Sequence, residues 1–302
     1  MSDRFYFSVR DLKTCWFSTL RDLGFRTTLS LHNPLPYGSL AEDDLSLELD
    51  LFDTDGSVIC EPIDLGMLAP DARCDVNIDD ILQNIGHRDD VVGALRMIPN
   101  SLSVEKEIET NRETLAEWTA CCDEFVGYTH VGSGVKSGVL YQSPPMNDSR
   151  LSSTNTIIIQ SPKLVIDANN DSHLLLFCPT SNRNFMSNAT LRIVILDRSG
   201  SVVARSQIAV PARGRRRVSI SKILQDVGEL DSYLDNGGFG MLVGLASGAV
   251  LTPLSLIVST GGGLAIDHTL PPPYYAPWWG GADRKRASRS LITKFFPEAA
   301  DS

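Results

Sequence analysis

Hydrophobic and polar residues alternate along Leu45–Leu51, where every second residue is leucine. A period of two places these leucines on one face of a β-strand and leaves the other face in water. Short apolar runs between Pro, Gly and Asn clusters predict further strands. These runs are Arg26–Leu31, Asn155–Ile159, Ser172–Phe177, Gln207–Val210 and Gly240–Leu245. Many short strands with such punctuation are typical of an antiparallel β-sandwich.

Apolar residues three and four positions apart predict a few short helices instead. Ile78–Ile85 and Ile220–Val227 show this spacing, so each half of the chain is predicted to carry one helical turn between strands. Val9–Leu23 is also predicted to be helical, because its apolar residues share one helical face and Gly24 supplies a stop. A capping-box pattern opens a predicted helix over residues 110–122.

The chain resembles itself at a shift of roughly 142 to 151 residues. Leu47–Ile59 aligns with Leu191–Val203 and keeps the Asp, Gly, Ser and Val around one turn. Val76–Gly86 aligns with Val218–Gly228, and the apolar positions are retained while the polar ones vary. Self-similarity on this scale predicts a duplicated domain rather than a solenoid of short repeats.

Both halves carry an Asp-x-x-Gly turn, at Asp53–Gly56 and at Asp197–Gly200. The aspartate accepts backbone hydrogen bonds, and the glycine takes a positive φ, so the chain can fold back into a hairpin. We therefore expect the two units to share their strand arrangement and to differ in their loops.

The predicted fold is mainly β, with two duplicated antiparallel β-sandwich domains and a helical insertion in the first. The domains expected are residues 1–150 and 151–270, followed by an aromatic, proline-rich and basic tail over residues 271–302. The turn-centred repeat over Arg26–Ala94 and Ser172–Leu245 resembles tandem bacterial immunoglobulin-like or fibronectin-III-like modules. The resemblance implies the sandwich fold and no particular function, because such modules serve adhesion, sugar binding and purely structural roles.

Composition excludes several classes of protein. The 302 residues are 42% hydrophobic and 21% charged, as in an ordinary globular protein. A net charge of −10 argues against nucleic-acid binding over the whole surface, since that affinity comes from neutralising phosphates. No apolar run suits a membrane-spanning helix, and the first residues lack a secretory pattern, so a soluble, cytoplasmic protein is expected. The six cysteines show no disulfide framework and are expected to be reduced.

Catalytic and metal-binding signatures are weak. The five histidines are scattered singly, and no HExxH motif occurs, so neither a metal nor a cofactor is expected. Gly132–Gly138 superficially resembles a phosphate-binding loop, but it lacks the Gly before Lys and is predicted to be a hairpin turn. Asp267 and His268 form the one adjacent acid–imidazole pair, which leaves an enzyme with a site near His268 as an alternative.

Two segments are candidate binding sites. A basic cluster, Arg213, Arg215, Arg216 and Arg217, could hold phosphate or an acidic partner, although a solvated turn is the preferred interpretation. Proline-flanked aromatics in the tail could stack on a sugar or anchor a protein partner, or could instead pack back on the sandwiches as a clamp. These aromatics are Tyr274, Tyr275, Trp278 and Trp279.

The tail continues with a basic stretch, followed by the apolar residues Leu291, Ile292, Phe295 and Phe296. That spacing is typical of a short helix that docks on protein or lies on a membrane surface. Docking on protein is the preferred interpretation, because so short a helix would hold an anionic membrane weakly. The leading hypothesis is therefore a non-catalytic structural or protein-interaction protein that docks on a partner, or on itself, through its tail. A carbohydrate-binding protein that uses the Tyr and Trp residues of the tail is the alternative.

Overall fold

The computed structural model describes residues 14–33, 44–99, 124–140, 157–180, 185–249, 251–268 and 289–299. Contacts within the chain divide it into two units, residues 1–144 and 145–302. The helix predicted over residues 110–122 lies outside the described residues.

The described part of unit 1 is built from eight strands and one helix. In chain order these are β1 (Thr14–Ser18), β2 (Phe25–His32), β3 (Leu45–Phe52), β4 (Ile63–Leu68), β5 (Arg73–Asn77), α1 (Ile78–Asn84), β6 (Val92–Pro99), β7 (Glu124–His130) and β8 (Lys136–Leu140). The short turn Arg21–Leu23 between β1 and β2 is a 3-10 helix.

The described part of unit 2 also contains eight strands. Its elements are β9 (Ile157–Val165), β10 (Asn170–Phe177), β11 (Ala189–Asp197), β12 (Val202–Val210), β13 (Arg215–Ser219), α2 (Ile220–Asp226), α3 (Leu230–Asp235), β14 (Phe239–Ser247), β15 (Thr252–Ser259) and β16 (Leu264–His268). Residues 289–295 are helical and a 3-10 turn, Pro297–Ala299, follows them. We call residues 289–299 the C-terminal segment.

The two units have the same topology. Unit 1 contains sheet I, in the order β1-β6-β3-β4, and sheet II, in the order β5-β2-β7-β8. Unit 2 contains sheet III, in the order β9-β14-β11-β12, and sheet IV, in the order β13-β10-β15-β16. Every strand pairing in these sheets is antiparallel. The mainly β, duplicated antiparallel fold predicted from the sequence is therefore confirmed.

One hydrophobic core joins the two sheets of unit 2. Leu174 and Leu176 of sheet IV belong to the same buried cluster as Leu191 and Ile193 of sheet III, and Tyr233 of α3 is part of it. In the first half of β11, the core residues Leu191 and Ile193 alternate with the half-buried Thr190 and Arg192. The helix α3 is an addition of unit 2 that the sequence comparison did not predict.

The predicted turns and short helices are confirmed. Gly56 and Gly200 have φ values of 86° and 82°, the left-handed region that glycine enters without steric strain. The side chains of Asn77 and Ser219 cap the N-termini of α1 and α2 by accepting from backbone N–H groups. Residues 131–135 form the turn between β7 and β8, as the hairpin interpretation of Gly132–Gly138 predicts.

The helix predicted over Val9–Leu23 is wrong for its described part. Thr14–Ser18 is strand β1, which pairs with β6 at the edge of sheet I. Cys15, Trp16 and Phe17 are 1%, 2% and 0% exposed, so both faces of this strand are buried. A strand buried on both faces has no alternation, and the helical spacing of its apolar residues was therefore coincidental. Gly24 does end the 3-10 turn, with a φ of 80°.

Candidate functional site

The sequence-predicted site residues fall into three groups. Tyr274, Tyr275, Trp278 and Trp279 lie outside the described residues. Asp267 and His268 end the edge strand β16, opposite Ser255 and Leu254 of β15, and Asp267 is exposed. The arginine cluster lies within the described part of unit 2.

The arginine cluster is not the solvated turn that the sequence favoured. Arg213 does lie in a turn, with a φ of 61°, but Arg215, Arg216 and Arg217 form the first half of the edge strand β13. Arg215 is only 5% exposed, and Arg216 and Arg217 are half-buried. A run of three charged residues lowers strand propensity, which is why this strand was missed.

Arg217 belongs to a polar network on the outer face of sheet IV. Its Nη1 lies 2.8 Å from Nδ1 of His173, and Nε2 of His173 lies 3.3 Å from Oδ2 of Asp171. A guanidinium can only donate, so Nδ1 must accept and Nε2 must carry the proton that faces the carboxylate. This arrangement describes a neutral histidine held between an arginine and an aspartate.

The same aspartate fixes the start of α2. Ser219 donates its hydroxyl to Asp171 over 2.7 Å, and the backbone N–H of Ser221 donates to the other carboxylate oxygen over 3.2 Å. Oγ of Ser219 also accepts from the N–H of Lys222 as the helix cap. A Ser–His–Asp triad needs the histidine between serine and aspartate, whereas here the aspartate lies between them. The network can position α2 and β13, but it cannot activate Ser219 as a nucleophile.

Three of the described cysteine thiols, those of Cys60, Cys74 and Cys178, are not activated either. Burial raises the pKa of the Cys178 thiol to about 12, and burial followed by nearby acids raises the pKa of Cys60 and Cys74. A raised pKa leaves less thiolate, which is the reactive form. Among the described residues, no group of three or more His, Cys, Asp or Glu side chains is placed to hold a metal ion.

The C-terminal segment covers the outer face of sheet III. Phe295 and Phe296 are 4% and 2% exposed, and they form one buried cluster with side chains of β11 and β14. The strand residues in this cluster are Val194, Leu196, Val243 and Leu245, and Leu291 and Ile292 pack at its edge. The docking helix predicted from the apolar spacing therefore docks on its own chain.

Polar contacts secure this docking. Nη1 of Arg192 lies 2.6 Å from Oε1 of Glu298, and the Arg192 guanidinium stands 5.6 Å from the ring centre of Phe296. Nη1 of Arg205 donates to the carbonyl oxygen of Phe295 over 2.7 Å. The apolar contacts supply the driving force, while these contacts to a charged group and to the backbone define the position of the segment.

The equivalent face of unit 1 is chemically different. The shared turns make Glu48 and Asp50 the counterparts of Arg192 and Val194, and the β3–β6 pairing makes Arg96 the counterpart of Leu245. Nη2 of Arg96 lies 3.0 Å from Oε2 of Glu48, and Nε lies 2.9 Å from Oδ2 of Asp50. Docking of an apolar helix would remove water from this ion-pair network, which costs free energy. The C-terminal segment therefore fits sheet III of unit 2 and does not fit the equivalent face of unit 1.

Comparison with the models of known protein families gives no match, and comparison with curated proteins gives none either. Among solved structures, a β-glucuronidase from glycoside hydrolase family 2 shares 10% identity over 85% of this chain and 24% of its own, with a TM-score of 0.19. A glycosyl hydrolase family 2 member from Bacteroides cellulosilyticus shares 10% identity over 84% of this chain and 27% of its own, with a TM-score of 0.18.

The lectin from Pleurotus ostreatus, solved with GalNAc, shares 9% identity over 89% of this chain and 85% of its own, with a TM-score of 0.12. The chain thus spans about a quarter of the length of the two glycosidase chains. TM-scores this low carry no argument about function. Within the described parts of the chain, no helix combines the length and the apolar character needed to cross a membrane.

Proposed function

We propose that this chain is a non-catalytic structural or interaction protein, in which the duplicated sandwiches form a scaffold and residues 269–288 contact a protein partner, namely a second copy of the chain. The observation that carries the proposal is the docking of the C-terminal segment on sheet III. The chain leaves sheet IV at His268 and packs on sheet III from Leu291. The aromatic, proline-rich stretch connects these two attached points in the sequence, and we call residues 269–288 the loop.

Fixing both ends favours binding for an entropic reason. A segment that is already restrained loses less conformational freedom when a partner orders it. The prolines restrict φ further, and Tyr and Trp side chains bury much apolar area with few rotatable bonds. The basic residues of 284–289 lie beside these rings in the sequence and would favour an acidic partner surface.

Of the resemblance to immunoglobulin-like modules, this proposal keeps only the β-sandwich architecture. In immunoglobulin domains the first two strands, A and B, are neighbours in one sheet. Here, among the described strands, β2 shares its sheet with neither β1 nor β3, so neither of the first two consecutive pairs reproduces that order. We therefore propose a sandwich of related architecture with its own topology.

The test is sedimentation velocity on the full chain over a range of concentrations, since a second copy is the partner present in a purified sample. The variant replaces the four aromatics of the loop with serine, and Phe239→Ser, at a residue 52% exposed on β14, is the matched control. We expect association that increases with concentration, is lost in the loop variant and is kept in the control. A monomer at every concentration for all three proteins would contradict the proposal, and glycan-array binding lost in the loop variant would favour the carbohydrate alternative.

A further inference from the structure

A shallow groove of about 550 Å³ lies on unit 1, where the 3-10 turn and the start of β2 meet the two ends of α1. Arg21, Arg26 and Arg88 line it, together with His87 and the aspartates of α1. The arginines outnumber the aspartates, so the groove carries positive charge on a chain whose net charge is −10. They create a local positive potential that attracts anions.

The two aspartates of the groove make contacts with residues that surround it. Asp79 lies 3.1 Å from Nε of Arg21 and accepts from the backbone N–H of Thr27 over 2.7 Å. Asp80 accepts from the side-chain amide of Asn77 over 2.8 Å. The Arg21 guanidinium offsets the charge of Asp79, whereas Asp80 is exposed and keeps its charge. Three guanidinium groups still outnumber two carboxylates in the lining, so the groove favours an anion.

The remaining donors of the groove are unused. The side chains of Arg26 and Arg88 are exposed, and neither guanidinium makes an ion pair or a hydrogen bond within the described residues. Both guanidinium groups can therefore donate to a ligand.

Unit 2 provides an internal comparison. Thr28 lies opposite Asn77, the cap of α1, and His173 lies opposite Ser219, the cap of α2, so Thr28 and His173 are equivalent. Two residues earlier in each strand, Asp171 is therefore the counterpart of Arg26. Counting from the same caps, His87 and Arg88 correspond to Glu229 and Leu230. Unit 2 adopts the same topology with two acids and a leucine in place of the basic residues, so the fold does not require their charge.

We propose that this groove binds a compact oxyanion of the phosphate or sulfate class, held by the guanidinium groups of Arg26 and Arg88. Tetrahedral oxyanions offer several acceptors to converging donors, and guanidinium groups match their geometry. The site lies within unit 1 and does not depend on the loop at residues 269–288.

The test is isothermal titration of the full chain with inorganic phosphate and, separately, with inorganic sulfate, at constant ionic strength. We expect one site per chain, weakened about tenfold or more by Arg26→Ala and by Arg88→Leu, since each removes a charged donor. Arg88→Leu installs the residue that unit 2 carries at this position. The matched control is Arg198→Ala, an exposed arginine in the second hairpin turn, which should leave the affinity unchanged.

Two results would overturn this inference. One is the absence of saturable heat with either anion in the parent protein. The other is equal weakening by Arg26→Ala and Arg198→Ala, which would indicate diffuse attraction to surface charge. The variant with four serines in the loop should bind the anion like the parent, so this outcome is separate from that of the interaction proposal. Unchanged melting temperatures of the variants would show that the fold is intact.

Discussion

The substitution Phe296→Ala probes the docking of the C-terminal segment most sharply. The ring is 2% exposed and packs with Val194 and Val243 on the outer face of sheet III. Burial of a phenylalanine side chain stabilises by about 1.5–3 kcal/mol, and Phe→Ala in a rigid core costs about 3–5 kcal/mol because a cavity remains. Here the C-terminal segment can leave sheet III. The loss in the free energy of unfolding therefore cannot exceed the free energy with which the segment docks. We expect about 2–3 kcal/mol.

Two measurements on each protein check this value. Urea denaturation reports the free energy of unfolding, and limited trypsin digestion reports undocking, because Arg289 and Lys294 lie within the segment. The matched control is Phe239→Ala, which removes a ring that is 52% exposed and should change stability by less than about 1 kcal/mol. We expect faster cleavage after Arg289 and Lys294 in Phe296→Ala and no change in the control.

The double variant Phe295→Ala/Phe296→Ala tests the limit set by undocking. If a single substitution already releases the segment, the second adds little, and the two losses are not additive. The reasoning would be refuted by unchanged stability and trypsin resistance in Phe296→Ala. It would also be refuted by fully additive losses well above 3 kcal/mol, since these would require a segment that cannot leave the sheet.

Three further outcomes follow from local geometry. Gly200→Val and Gly56→Val should each lower the free energy of unfolding by about 1 kcal/mol or more in urea denaturation, because a branched side chain disfavours the positive φ there; equal stability would contradict the turn chemistry. Ser219→Ala should cost about 1 kcal/mol through loss of the α2 cap, whereas Ser219→Asn, which installs the cap that Asn77 provides in unit 1, should be nearly neutral. Hydrogen bonds, first from the hydroxyl of Ser199, lower the pKa of Asp197. The ionised Asp197 therefore stabilises the fold above its ordinary pKa near 3.8, and this stabilisation is lost as the pH falls through the lower pKa of the folded state. Asp197→Asn should flatten the acid limb of a stability–pH curve, and an unchanged limb would contradict that assignment.

The sequence predicted those elements whose structure depends on local chemistry. The Asp-x-x-Gly turns, the capped short helices and β3 each carry a pattern that a few neighbouring residues determine. The repeat predicted the duplication because the same turns and caps recur in both halves. Local propensity and tertiary packing favour the same conformation at these positions, so their structure can be predicted from the sequence.

The features that the sequence did not predict depend on contacts between residues distant in the chain. The strand β1 is buried on both faces, so its sequence carries no alternation, and β13 begins with three arginines whose burial depends on strands distant in the chain. The apolar spacing of the C-terminal segment predicted docking, but only the charges of Glu48, Asp50 and Arg96 exclude the equivalent face of unit 1. That comparison requires the strand pairing.

The anion groove had no sequence signal of its own. Its basic residues come from three separate places, the 3-10 turn, the start of β2 and the loop after α1. The fold brings them together, and only comparison of the two units at equivalent positions shows that their charge is not a requirement of the architecture. A sequence comparison guided by the strand register would have found the difference.

Photo-crosslinking from the loop tests the central claim most directly. Trp278→p-benzoylphenylalanine would be prepared in full chains with and without nitrogen-15, and the two preparations would be mixed before irradiation. The account predicts crosslinked peptides that contain one labelled and one unlabelled chain, because the loop contacts a second copy. Crosslinks confined to single chains would instead show that the aromatic strip packs on its own sandwiches as a clamp, and they would contradict the proposed function.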